Sequence, residues 1–254
     1  MEVLRRWTRI GDVDARLYET AHGSTQRPVI LYVHGGGFTA GAPELFDQAC
    51  DHLARETGAV VISPRYRLAP DYPHPAAVND CATVLDGIVA MESDLACDST
   101  RIAMAGVSAG GAIAVSLAYA TALPVRLVLM QSPLLDDRPH ATGLDDGRDP
   151  IWSAKAARGA WKAYLGPGGT RSAAVPAELE DLRRLPPVYM SVGSREVTVP
   201  ETLAFSGRLA ELGVPVEFHM WDGMPHGFEI KQSDNVVARA STQAAVEALR
   251  RALD

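Results

Sequence analysis

Short apolar runs recur along the chain, separated by longer stretches in which apolar residues return every three or four positions. Residues 28–33, 59–63, 101–105, 125–130, 188–192 and 214–221 form the runs, most of them rich in β-branched residues and bounded by Gly or Pro. That pattern predicts strands buried on both faces. Residues 13–19 alternate only weakly and predict an edge strand. The intervening stretches 44–57, 75–91, 109–122, 200–212 and 232–253 predict helices. Pro75 suits a first helical turn and Gly213 a C-terminal cap. Strands alternating with helices of this length imply βαβ units and a mostly parallel central sheet flanked by helices, an α/β fold.

The rhythm breaks once. Residues 136–185 contain no convincing strand, but include a helix-like stretch and two of the four tryptophans, Trp152 and Trp161. A structureless loop of that length does not suit a compact domain, so the segment is expected to be an inserted, partly helical cap within a single domain spanning 1–254.

Composition narrows the function. The 254 residues are 47% apolar and 22% charged, enough for a full core. There are 24 basic and 31 acidic residues, a net charge of −7, which disfavours nucleic-acid binding. Cys50, Cys81 and Cys97 form no CxxC pair and are read as reduced thiols of a cytoplasmic protein. No run is long enough to span a membrane and the N-terminus has no signal-peptide core, so no stable membrane association is expected. No HExxH or paired-histidine spacing appears, so neither a metal nor another cofactor is expected.

Two glycine-rich motifs carry the candidate chemistry. GVSAG at 106–110 fits G-x-S-x-G, follows a predicted strand and opens a predicted helix. A serine on so tight a turn is forced outward, with glycine tolerating the crowding on either side. HGGGF at 34–38 follows another strand, and its glycines let backbone N–H groups approach a ligand closely enough to hold an oxyanion. A nucleophilic Ser108 needs a base, and the base needs an orienting acid. In the serine–acid–histidine chain order of such folds, His226 is the base: it lies in a loop after the last strand, whereas His22, His34, His52 and His74 precede the serine. His140 falls in the inserted segment, and His219 sits within a strand as a packing residue. Glu196, in the loop after strand 188–192, is the first candidate acid, with Glu201 and Asp222 as alternatives. Phe38, Trp152 and Trp161 are candidate walls of an apolar pocket, Phe38 first because it follows the glycines.

Together with YRLAPDYPHPAAV at 66–78, WKAYLG at 161–166 and DGMPHGF at 222–228, these motifs resemble the bacterial hormone-sensitive-lipase-like (family IV) esterases of the α/β-hydrolase superfamily. The likeness runs from about residue 27 to the C-terminus. It implies an α/β-hydrolase fold with Ser108 as nucleophile, His226 as general base and Glu196 as the acid, in a GSREV variant of the acid loop at 193–197. Gly36, Gly37 and Ala109 would supply the oxyanion N–H groups. The implied reaction is hydrolysis of short- to medium-chain carboxylic esters, a small-molecule substrate, through an acyl-enzyme. A homodimer through the last strand and helix is common in such proteins. Val107 and Pro200 depart from the family pattern, and only 33 residues precede His34. The N-terminal part of the cap is therefore expected to be short, with residues 136–185 supplying most of it above a wider, more exposed pocket. Two other functions fit the same fold: a biosynthetic amidase, dehydratase or cyclase, and a small-molecule binder without turnover.

Overall fold

The computed structural model describes residues 2–21, 26–138 and 149–254; His22 and His140 lie outside the described residues. Among the described residues, eight strands form one sheet in the order β1-β2-β4-β3-β5-β6-β7-β8. They are β1 (Val3–Ile10), β2 (Val13–Thr20), β3 (Arg27–Val33), β4 (Val60–Pro64), β5 (Cys97–Val107), β6 (Val125–Gln131), β7 (Val188–Gly193) and β8 (Val216–Trp221). The β1–β2 and β2–β4 pairs are antiparallel and the remainder are parallel.

The parallel strands are buried on both sides, as their unbroken apolar runs require. Along β3, Val29, Leu31 and Val33 join one core cluster while Ile30 and Tyr32 join the other. Helices α2 (Ala76–Ala90), α3 (Ala109–Ala120) and α6 (Val199–Glu211) cover the first face. Helices α1 (Asp47–Thr57) and α8 (Val236–Leu253) cover the second. Between β6 and β7 lie α4 (Ala154–Leu165) and the short α5 (Arg171–Ala174), and α7 (Phe228–Lys231) follows β8. Among the described residues, no helix is long and apolar enough to cross a membrane.

Two expectations are corrected. Residues 13–19 belong to β2, which is paired on both sides; the edge strand is β1. Its period-2 signal is hidden by the exposed Arg5, Arg6 and Arg9, which lie on both faces and pair with Asp51, Glu19 and Asp14. The Gly11-Asp12 hairpin turn, with Gly11 at φ 61°, was the available cue. The helix expected from 232 starts only at Val236, because residues 232–235 turn and the Asn235 side chain accepts from the Val237 N–H at 2.8 Å, capping α8 there.

The topology creates the site. From β3 the chain moves to β4 on one side, then returns to β5 on the other. Loops leaving the carboxyl ends of β3 and β5 therefore diverge, opening a crevice where parallel α/β sheets bind ligands. The HGGGF loop leaves β3, and Ser108 follows β5.

Candidate active site

Ser108 occupies the turn between β5 and α3 with φ 57° and ψ −124°, a conformation few L-residues adopt. Its flanking glycines permit that turn. A Cβ on Gly106 would stand 2.3 Å from the Gly110 carbonyl oxygen, and one on Gly110 would stand 2.0 Å from that of Val33. The Ser108 backbone is held from the end of β6: its N–H donates to Gln131 O at 2.9 Å, and its carbonyl accepts from Leu134 N–H at 3.2 Å.

His226 brings the other two candidates together with the serine. Its Nε2 lies 2.8 Å from Ser108 Oγ, and its Nδ1 lies 2.8 Å from Glu196 Oε2. All three side chains are buried. The acid and histidine loops are laced to each other: Ser194 N–H donates to Trp221 O, Arg195 N–H to Met224 O, and Gly223 N–H to Ser194 Oγ. Glu196 also accepts from Gly193 N–H at 2.6 Å, Ser132 Oγ at 2.7 Å and Thr198 Oγ1 at 2.9 Å. Ser132 Oγ in turn accepts from Gly227 N–H at 3.0 Å. The two alternative acids stand elsewhere. Glu201 accepts from Leu135 N–H at 2.8 Å, and burial pushes its carboxyl well above the ordinary range. Asp222 accepts from Ser194 Oγ.

The HGGGF loop turns at positive φ through Gly36 (131°), Gly37 (60°) and Phe38 (62°). Its histidine is structural. His34 is buried, which lowers its pKa to about 4, so the ring is neutral at pH 7. Its Nδ1–H donates to Gly35 O, and the ring stacks on Tyr66 at 4.1 Å. Tyr66 OH donates to His34 O, and Ala69 N–H to Phe38 O. Residues 66–69 thus brace the glycine loop from behind. Ala109 is the first residue of α3, so its N–H has no acceptor within that helix.

The candidate aromatic residues separate. Trp152 stacks on the His226 ring (centroids 5.5 Å apart, planes at 21°) and lies against Gly37. Phe38 is only 1% exposed. Its ring stacks on Tyr164 at 4.0 Å and tilts against buried Trp161 at 4.8 Å. Phe38 and Trp161 therefore fix α4 to the glycine loop, and Trp152 is the one beside His226. His219, as expected, packs, between Tyr189 and Trp221.

Sequence reasoning missed Ser132, Asp149 and Glu229. Asp149 Oδ2 accepts from the His226 backbone N–H at 3.1 Å. Glu229, three residues past the histidine, is buried and accepts from Ser191 and Ser241 hydroxyls at 2.9 Å each. Burial, reinforced by nearby Glu196, raises its carboxyl to about 7. A group that binds its proton more tightly folded than unfolded contributes its stability below the unfolded value, here near 4.5, and loses it as pH rises through about 7. Ionising Glu229 thus costs the folded state about 3 kcal/mol at alkaline pH. Glu229→Gln is expected to raise Tm above wild type at pH 8, with the gain shrinking toward pH 5; a thermal melt series across pH measures it. Among the described residues, no group of three His, Cys, Asp or Glu side chains is placed to hold a metal ion.

Comparison with known proteins gives the family of the chain. The family described as alpha/beta hydrolase fold matches residues 30–230. The chain belongs to this family. Several of the proteins it resembles are named esterases. Esterase LipI of Mycobacterium tuberculosis is 32% identical over 228 residues, covering 86% of this chain and 71% of that protein. The crystal structure of esterase LipW from Mycobacterium marinum superposes with a TM-score of 0.91 at 32% identity, covering 99% of this chain and 82% of that one. That of an esterase from the bacterial hormone-sensitive lipase family gives 0.90 at 27% identity, covering 99% and 85%. Within the α/β-hydrolases, the chain therefore stands with the family IV esterases.

Proposed function

We propose that this chain, a carboxylic ester hydrolase by family, cleaves short- to medium-chain esters through an acyl-enzyme on Ser108. Ser108 Oγ attacks the ester carbonyl while His226 Nε2 takes its proton. The N–H groups of Gly36, Gly37 and Ala109 receive the negative oxygen of the tetrahedral intermediate. The intermediate collapses as His226 returns the proton to the departing alcohol. Water, deprotonated by His226, then attacks the acyl carbon and releases the acid. Glu196 holds the imidazole in the tautomer with Nδ1–H and stabilises the imidazolium that forms.

The observation that carries this reading is His226 lying 2.8 Å from both Ser108 Oγ and Glu196 Oε2. In the same reading, the inserted segment 136–185, of which 139–148 lie outside the described residues, supplies a small cap, Trp152 lines the substrate pocket, and Phe38 and Trp161 support it. The buried, free thiols of Cys50, Cys81 and Cys97 favour a cytoplasmic location. The outer edge of β8, where Met220 is half exposed, favours pairing with a second copy.

Hydrolysis of p-nitrophenyl esters from C2 to C12 tests the substrate class. Trp152 against the imidazole limits the room beside the acyl carbon, so kcat/KM is expected to peak at C2 to C6 and fall at longer chains. A profile rising through C12, or no turnover by folded protein, would count against this reading.

A further inference from the structure

Asp149 joins two parts of the molecule that the chain keeps far apart. The residue is buried and lies just ahead of α4. Its Oδ1 accepts from Ile151 N–H at 2.9 Å and Trp152 N–H at 3.2 Å. Its Oδ2 accepts from the backbone N–H of His226 at 3.1 Å. A single carboxylate therefore fastens the segment between β6 and β7 to the histidine loop.

The consequence reaches the reacting groups. The next residue of the histidine loop, Gly227, donates its N–H to Ser132 Oγ, so two successive backbone N–H groups at the imidazole are held by side chains from outside the loop. The turn that Asp149 closes at Ile151 and Trp152 also directs the Trp152 ring. That ring stacks on the imidazole, and its Cη2 lies only 2.7 Å from where a Cβ on Gly37 would stand. The histidine and the glycine loop thus meet the same indole.

The geometry points to Asp149 as a positioning residue for the ester hydrolysis. It acts through His226, setting the imidazole's approach to Ser108 and laying Trp152 across His226 and Gly37. This inference rests on the reading of His226 as the base. The carboxylate is needed because three N–H donors converge on it and it has two acceptor oxygens. An asparagine has one. With that oxygen on Ile151 and Trp152, its NH2 faces the His226 N–H, donor against donor, and the histidine loop shifts. A serine reaches the two N–H groups of its own turn, as short hydroxyl side chains do in such turns, but not the His226 N–H.

Asp149→Asn and Asp149→Ser are compared with wild type on p-nitrophenyl butyrate. Both are expected to lower kcat by about 10- to 100-fold, the scale of a small misplacement of a reacting group, with KM within about threefold. The low-field proton resonance of the His226–Glu196 hydrogen bond should shift or broaden in both. Asp149→Ser preserves the turn, so it separates positioning from simple support of the fold should Asp149→Asn not fold. A folded Asp149→Ser with wild-type kcat and an unmoved resonance, or a loss carried wholly in KM, overturns the inference. If Ser108→Ala is inactive in the same assay, that result leaves the proposed function standing and removes only the role of Asp149. If Ser108→Ala is active, the proposed function itself fails.

Discussion

Ser108→Ala is expected to lower turnover of p-nitrophenyl butyrate by about 10⁴- to 10⁶-fold, with little change in Tm. The serine hydroxyl is the one group whose removal abolishes the covalent route altogether. What remains is water attacking an ester held by the glycine-loop N–H groups, which is far slower. Stability should hold because the substitution keeps the Cβ and the backbone contacts. Gln131 O and Leu134 N–H bind the Ser108 main chain, not its side chain. The left-handed φ of 57° is no worse for alanine than for serine. Steady-state kinetics beside a thermal melt checks both halves. Turnover within tenfold of wild type would mean that the hydroxyl is not the nucleophile.

Glu196→Gln is expected to cost about 10⁴-fold in kcat, again in a folded protein. Glu196 accepts four hydrogen bonds, two on each oxygen. A glutamine keeps one acceptor. The Gly193 N–H cannot turn away, so the amide oxygen stays with it and the NH2 takes the place of Oε2, facing His226 Nδ1. That NH2 favours the imidazole with Nδ1 bare and the proton on Nε2. Such a ring donates toward Ser108 and cannot accept its proton. Glu201→Gln serves as the contrast: its Oε1 accepts from Leu135 N–H, a bond the amide oxygen preserves, so kcat should stay within a few-fold. If Glu201→Gln were the inactive variant and Glu196→Gln the active one, the acid would be misassigned.

The same hydrogen bonds explain how far the sequence could be read. GVSAG, HGGGF and the histidine loop were legible because each needs particular residue types in consecutive positions: glycine where a Cβ would strike Val33 or Ala40 carbonyls, serine between them. The strands of the sheet interior were legible because burial on both faces leaves unbroken apolar runs. β1 was not, since an edge strand carrying arginines has no such run. Glu196 and Glu201 are five residues apart, and only the turn of the loop decides which one meets the imidazole. Ser132 and Asp149 act on the backbone N–H groups of Gly227 and His226 across 95 and 77 residues, a relation that no local spacing encodes. Trp152 and Trp161 share a segment and a residue type, and only the direction of α4 decides which one lies on the triad.

Covalent labelling decides whether Ser108 is the nucleophile. The protein is incubated with diethyl p-nitrophenyl phosphate, and its peptides are then read by mass spectrometry. One diethylphosphoryl group per chain is expected, on the peptide carrying Ser108, formed in step with p-nitrophenol release and with loss of esterase activity. Full inactivation with the label on another residue, or esterase activity that persists with Ser108 fully labelled, would contradict that role.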